Sequence, residues 1–177
     1  MGADHSWANA MQAEALATLF LTKHREIEVV SASRYVQRQG YDILVRFRKE
    51  GKGEATEFAV EAKGVRRTTG RANGLRIRIN QDLLANVDLP LLLFVFDVDD
   101  ETGSYRWLIE PVVMEDGQAV LLTPVEPSPT NGHRPAQISW TDLSPLDDGA
   151  LKTILDRIAT WSRARDRSPV PPRQRSG

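Results

Sequence analysis

The chain has 177 residues, a net charge of -1, 41% hydrophobic residues and 27% charged residues. These values are typical of one compact globular domain, and no apolar stretch approaches the roughly 20 residues that cross a bilayer. The sequence contains no cysteine, which excludes disulfides and thiolate sites, so a metal ion needs oxygen or histidine ligands. Because residues 1–10 show no secretory signal, we expect a cytoplasmic protein without membrane association.

The first part of the chain predicts a helix followed by strands. From Ser6 to about Glu26, apolar residues recur at helical spacing, and Ser6 is the predicted N-cap. Residues 27–33 are β-branched and small, and residues 41–48 alternate between apolar and polar side chains. After a glycine-rich turn at residues 50–54, residues 56–65 alternate again. The last two runs predict an antiparallel hairpin.

The second part predicts a polar connection, a buried strand and a closing helix. Residues 66–78 are polar and contain glycine, and a short helix is expected near residues 81–85. The continuous apolar run over residues 91–98 is typical of a strand covered on both faces. Shorter strands are predicted at residues 105–109, 119–122 and 137–140, and Asp148 or Gly149 is expected to cap a helix over residues 150–164.

The predicted organisation is a single domain over residues 1–164. Residues 165–177 are rich in proline, arginine and serine and lack apolar side chains to bury, so we expect a disordered basic tail. The arginines of this end of the chain are interpreted as a solubilising feature.

Three residues on the predicted hairpin suggest chemistry. Side chains alternate along a strand, so Glu61 and Lys63 project from one face, and Val60 and Ala62 project from the other. If the turn is centred near residue 52, Asp42 lies opposite this stretch, at about 5 Å. Two carboxylates and an ammonium then converge. Such a group suits Mg²⁺ or Mn²⁺, which bind carboxylates, a backbone carbonyl such as that of Ala62, and water.

The acid-x-Lys triplet alone has little specificity. Glu50, Gly51 and Lys52 match it as well, yet they fall in the predicted turn. What distinguishes Glu61 and Lys63 is their place at the end of a strand whose hairpin partner begins with an aspartate. The structural alternative is a cross-strand ion pair on the exposed face of a hairpin, which stabilises a protein only weakly.

Over about residues 10–109, the chain resembles the PD-(D/E)xK nuclease-like superfamily. Its pattern is a helix, a strand with Asp, a hairpin, a strand ending in Glu-x-Lys, a helix and a buried strand. Within it, the chain is similar to a branch of small bacterial proteins of unknown function. The features that carry this likeness are Glu14, Tyr41-Asp42, Glu61-Ala62-Lys63, Leu89-Pro90-Leu91 to Asp97, and Tyr105-Arg106-Trp107.

The resemblance implies an α/β fold with a restriction-endonuclease-like core, in which helices flank a central mixed sheet. It implies Mg²⁺- or Mn²⁺-dependent hydrolysis of phosphodiester bonds in DNA, with Asp42, Glu61 and the carbonyl of Ala62 as metal ligands and Lys63 assisting the attacking water. It further implies that Glu14 is an additional acidic group and that Gln81 contacts phosphate or water. The proline that usually precedes the motif aspartate is replaced by Tyr41.

Nucleic acid is the expected partner, and a homodimer or a protein partner that supplies specificity remains open. Five arginines follow Lys63 without an intervening acidic residue and could hold a phosphate backbone, although a solvated loop face explains them equally well. They are Arg66, Arg67, Arg71, Arg76 and Arg78. The alternative function is a catalytically inactive module of the same fold that binds nucleic acid or a protein. A third interpretation is an unrelated α/β binding domain that uses this arginine segment against an acidic partner.

Overall fold

The computed structural model describes residues 3–30, 40–48, 55–66, 76–124 and 136–167. The helices are α1 (Ala3–Thr22), α2 (Gln81–Asn86) and α3 (Asp148–Arg167). The strands are β1 (Ile27–Val30), β2 (Ile43–Phe47), β3 (Thr56–Val65), β4 (Arg76–Ile79), β5 (Leu91–Asp97), β6 (Gly103–Val113), β7 (Ala119–Leu122), β8 (Ala136–Ser139) and β9 (Ser144–Pro145). A short 3-10 helix spans Trp140–Asp142.

The main sheet is mixed. Its strands follow the order β1-β2-β3-β5-β6-β7, and β9 pairs with β6. β3 and β5 are parallel, whereas the other neighbouring pairs are antiparallel. β4 and β8 form a separate two-stranded sheet. The predicted α/β class with a central mixed sheet flanked by helices is confirmed, and the arrangement is compatible with a restriction-endonuclease-like core.

Two hydrophobic clusters cover the two faces of the main sheet. On one face, α1 and α3 pack against alternate residues of β2, β3 and β5, including Val60, Ala62 and Phe94. On the other face, the small sheet and α2 pack against the residues between them, including Ala59 and Leu93. All seven residues of β5 are buried. The continuous apolar run therefore has the expected cause, because both of its faces lie against a cluster.

Several predicted boundaries are wrong by a few residues. α1 begins at Ala3, so Ser6 lies inside the helix and is not its N-cap, and the helix ends at Thr22. The cap of α3 is Asp147, whose carboxylate accepts a hydrogen bond from the Ala150 N–H at 2.7 Å. The predicted cap at Asp148 or Gly149 is therefore wrong. The helix begins at Asp148, before the first of the regularly spaced apolar residues from which its start was predicted.

Two further differences concern segments that were expected to lack regular structure. β4 overlaps the end of the predicted polar connection. Its residues Arg76, Ile77, Arg78 and Ile79 alternate with a period of two, and only the isoleucines are buried. α3 continues to Arg167, so the first three residues of the predicted tail are helical. Residues 168–177 and the predicted turn at residues 50–54 lie outside the described residues. Within the described ranges, no helix is long and apolar enough to cross a membrane.

Candidate functional site

The hairpin of β2 and β3 brings Asp42 and Glu61 together. Ile43 pairs with Val60 in the antiparallel ladder, so the next pair outward is Asp42 with Glu61. The N–H of Asp42 donates to the carbonyl of Val60 at 3.2 Å, which continues the ladder one residue beyond β2. The N–H of Ala62 donates to Oδ2 of Asp42 at 2.7 Å. This second bond fixes the orientation of the Asp42 carboxylate at the edge of β3.

Glu61 is a buried carboxylate, with 6% of the residue exposed. The ammonium of Lys63 forms an ion pair with its Oε1, and 37% of the Lys63 side chain is exposed. Oε2 of Glu61 is buried and accepts no hydrogen bond from the described part of the chain. A surface ion pair on an exposed hairpin face is therefore the wrong description of these residues, because the acidic partner is removed from water.

Burial and a second carboxylate shift the titration of Glu61. Its pKa rises from 4.5 to about 7, first because burial penalises the charged form, and then because the negative charge of Asp42 disfavours a second negative charge. A protonated Glu61 could also donate a hydrogen bond to Asp42, which raises the pKa further. The positive charge of Lys63 opposes this shift. Two carboxylates that share one partly neutralising ammonium form a site in which an additional cation is electrostatically favoured.

The pKa of Lys63 is raised, although burial by itself would lower it. Burial alone lowers the pKa of the ammonium, but the charge of Glu61 and its hydrogen bond, followed by the charges of Asp42 and Glu14, raise the pKa above the ordinary value. The side chain therefore carries its proton at neutral pH. Such a group supplies fixed positive charge next to the carboxylates.

Glu14 approaches the same site from α1. Its pKa is raised by partial burial and by the charge of Asp42, while the charge of Lys63 lowers it. The structure thus places the helix glutamate, which entered only through the family resemblance, in the electrostatic environment of the hairpin residues. It is a half-buried residue on the edge of the helix, between Ala13 in the core and the exposed Ala15.

Gly64 allows α1 to reach this position. A Cβ at Gly64 would lie 2.2 Å from the carbonyl oxygen of Asn9, so only glycine fits beneath the helix. One turn further along α1, the side-chain amide of Gln12 donates to the carbonyl of Val98 at 3.0 Å. The first half of α1 is therefore seated directly on the carboxyl ends of β3 and β5.

The backbone of Ala62 faces the same side as Asp42. Peptide groups alternate in direction along a strand, and Ala59 donates towards β5, to the carbonyl of Pro90 at 2.8 Å. Val60 and Ala62 lie one and three residues after Ala59, and an odd offset reverses the direction. They therefore direct their N–H and C=O groups towards β2. Since β2 begins only at Ile43, the carbonyl of Ala62 projects beyond the end of that strand, next to the Asp42 carboxylate.

The remaining predicted residues do not form one group. Gln81 is the first residue of α2, and its side chain lies outside what is described. Arg66 is near α1, with Nε 3.3 Å from Oδ1 of Asn9. Arg76 and Arg78 project from the exposed side of β4 in the small sheet. Arg67 and Arg71 lie outside the described residues. The arginines that are described thus belong to two separate elements.

Three polar residues at the carboxyl ends of β3 and β5 had no predicted role. Asp97 closes β5 with only 3% exposure, and its Oδ1 accepts a hydrogen bond from the N–H of Asp99 at 3.2 Å. Asn9 and Gln12 hold α1 on the strand ends. The sequence does show a carboxylate at the end of an apolar run and two amides within an apolar helix. Neither pattern predicts which strand ends these side chains contact.

In the described ranges, no three His, Cys, Asp or Glu side chains are grouped so that they could hold a metal ion by themselves. The donor set at the hairpin consists instead of two carboxylates and a backbone carbonyl. Comparisons with family models, with curated proteins and with solved structures find no match to this chain. Function must therefore be argued from the geometry of the site.

Proposed function

We propose that this chain is a metal-dependent nuclease or nuclease-like domain of the PD-(D/E)xK superfamily that hydrolyses phosphodiester bonds in DNA in the cytoplasm. The observation that supports this proposal most strongly is the Glu61 carboxylate, which is buried beside Asp42 with Oε2 lacking a hydrogen bond from the described residues. Burying a carboxylate oxygen without a hydrogen bond is costly, and the ion pair of Lys63 with Oε1 leaves Oε2 in that state. A cation bound at Oε2 would remove this cost.

The donor set fits a hard divalent cation. Asp42 and Glu61 provide carboxylate oxygens, and Ala62 provides a carbonyl that projects to the same side, which is the ligand chemistry that Mg²⁺ and Mn²⁺ prefer. When bound, such an ion supplies a Lewis acid that polarises a phosphoryl oxygen and lowers the pKa of a water ligand. The raised pKa of Glu61 is consistent with a site whose negative charge exceeds what Lys63 neutralises.

Lys63 can act in hydrolysis in two ways, as an acceptor of a proton from the attacking water or as a stabiliser of negative charge. Its raised pKa favours the second, because a protonated ammonium can donate to a phosphate oxygen as charge develops there. Its partial exposure lets Nζ reach a substrate while the Glu61 carboxylate remains buried. Glu14 completes the acidic edge and orients water at the mouth of the site.

The test is cleavage of plasmid and labelled oligonucleotide DNA by the full chain with Mg²⁺, with Mn²⁺ and with EDTA. We expect cleavage that requires the ion and that falls at least about 100-fold in Lys63→Ala, the usual effect of removing one transition-state donor. Lys152→Ala is the matched control, because Lys152 is exposed on α3 and should leave the rate unchanged.

Equal cleavage by Lys63→Ala and the wild type would contradict the mechanism. Metal-independent binding of DNA by a wild-type protein that cuts no substrate would instead support the catalytically inactive module of the same fold. Circular dichroism of both variants checks that any loss of activity does not reflect loss of folding.

A further inference from the structure

An exposed tryptophan lies on the same edge of α1 as Glu14. Trp7 is 68% exposed. Residues seven positions apart in an α-helix are separated by about two turns, or roughly 10 Å, and project in nearly the same direction. Glu14 is close enough to Asp42 and Lys63 for their charges to shift its pKa. The indole of Trp7 therefore lies further along the helix edge that borders the carboxylate site.

Exposure of this indole is unusual for the type of residue. Tryptophan is generally well buried because its ring removes a large apolar area from water. Trp161 on α3 follows that rule, with 3% exposure and the Arg165 guanidinium 4.8 Å from its ring centroid. Trp7 leaves an aromatic face in solvent. A ligand that covers this face would therefore be stabilised by the removal of its apolar surface from water.

The backbone that carries Trp7 is held in place. Two residues further along, the carbonyl of Asn9 packs on Gly64, and Oδ1 of Asn9 accepts a hydrogen bond from Nε of Arg66 at 3.3 Å. The first turns of α1 are thereby fixed to the end of the strand that carries Glu61 and Lys63. A ligand that binds to both the tryptophan and the site pays little cost for ordering this part of the protein.

Building on the nuclease function proposed above, we propose that Trp7 stacks on an unpaired base of the strand whose phosphate lies at Asp42, Glu61 and Lys63. Bases within a duplex have both faces covered by their neighbours, whereas an unpaired base offers a face to an aromatic ring. About 10 Å corresponds to roughly three nucleotides at the rise of a stacked strand. The substrate class is therefore single-stranded nucleic acid or a duplex with an unpaired end.

A protein partner is the competing explanation for this surface. Met11 and Leu19 are also exposed on α1, at 52% and 61%. Met11 lies one turn after Trp7 on the edge that carries Glu14, whereas Leu19 lies on a different side of the helix, so the exposed apolar residues of α1 do not form one continuous stripe. Position favours a nucleic acid, because Trp7 and Met11 share their edge with the acidic site. In addition, Arg66 is 53% exposed in its side chain near the same end of α1 and can contact a phosphate.

The test measures binding of the full chain to three fluorescein-labelled DNA probes by anisotropy, in EDTA so that no strand is cut. The probes are a single strand, a blunt duplex of the same sequence and the duplex with a single-stranded overhang. Loss of one base–aromatic stack should weaken single-strand and overhang binding by Trp7→Ala about 5- to 150-fold. Blunt-duplex affinity should change less than about 2-fold.

Two variants serve as controls. Trp7→Phe keeps an aromatic face and should retain most of the single-strand affinity. Leu19→Ala removes another exposed apolar side chain from α1, away from the Glu14 edge, and should bind all probes as the wild type does. Sedimentation of each protein reports whether the substitutions alter a self-associated state.

Unchanged single-strand affinity in Trp7→Ala would overturn the proposal, as would an equal loss for the blunt duplex. Dissociation of a dimer by both Trp7→Ala and Leu19→Ala, with unchanged strand affinity, would identify the surface as a protein interface and also overturn it. If the wild type cuts nothing while Trp7→Ala weakens single-strand binding, the nuclease function fails and the stacking site stands. If cleavage depends on Lys63 while Trp7→Ala binds normally, the stacking site alone fails.

Discussion

Replacing Glu61 by Gln should stabilise the metal-free protein at neutral and alkaline pH. The pKa of Glu61 is raised from 4.5 to about 7 in the folded chain, so the folded state prefers the protonated carboxyl. Stability from this preference is fully present below about pH 4.5 and is lost as pH rises towards 7. The size of the shift corresponds to roughly 3 kcal/mol of unfolding free energy, an upper bound because Glu61 interacts strongly with Asp42 and Lys63.

Glutamine has nearly the same shape and does not titrate, so it removes this pH-dependent loss. Urea unfolding in EDTA, measured from pH 4.5 to 8, should show the difference in unfolding free energy between variant and wild type grow in favour of Glu61→Gln up to about pH 7. Above that pH, the difference should become constant. Glu57→Gln is the matched control, since it makes the same chemical change on β3 where 37% of the side chain is exposed.

Parallel pH profiles for wild type and Glu61→Gln would refute this reasoning. Such a result would mean that the carboxylate is solvated or fully neutralised by Lys63 in the folded protein. The argument for a cation site would then lose its electrostatic support.

Three further outcomes are expected. Mg²⁺ or Mn²⁺ at 100 times Kd should raise the unfolding free energy of the wild type at pH 8 by about 2.7 kcal/mol, seen as a higher thermal midpoint, and should have little effect on Asp42→Asn. Equal shifts in both proteins would place the ion elsewhere. Gly64→Ala should destabilise the fold by about 1–3 kcal/mol in urea unfolding, because its methyl group meets the Asn9 carbonyl, and an unchanged unfolding free energy would contradict this close approach. Asp147→Ala should cost about 1 kcal/mol through loss of the α3 cap, and an unchanged unfolding midpoint would disprove that capping role.

Much of the local structure follows from short-range patterns. β3 spans Thr56–Val65, as the alternation of its side chains predicts, and β5 matches its apolar run to within one residue. These predictions succeed because burial on one or both faces imposes a period of two or a continuous apolar stretch. β4 was missed because four alternating residues within an arginine-rich stretch are too few to outweigh the expectation of a solvated loop.

The sequence by itself determined which residues could meet on the hairpin, because strand alternation sets the faces of Glu61 and Lys63 and the pairing register sets the position of Asp42. Only the tertiary structure decided that Glu61 is buried, since its environment depends on β5 and on the elements that cover that face of the main sheet, which are distant along the chain. The seating of α1 on Gly64, and with it the approach of Glu14, is likewise a contact between remote segments that no local pattern encodes. Periodicity is a short-range property, whereas burial and the resulting pKa shifts depend on the whole packed chain.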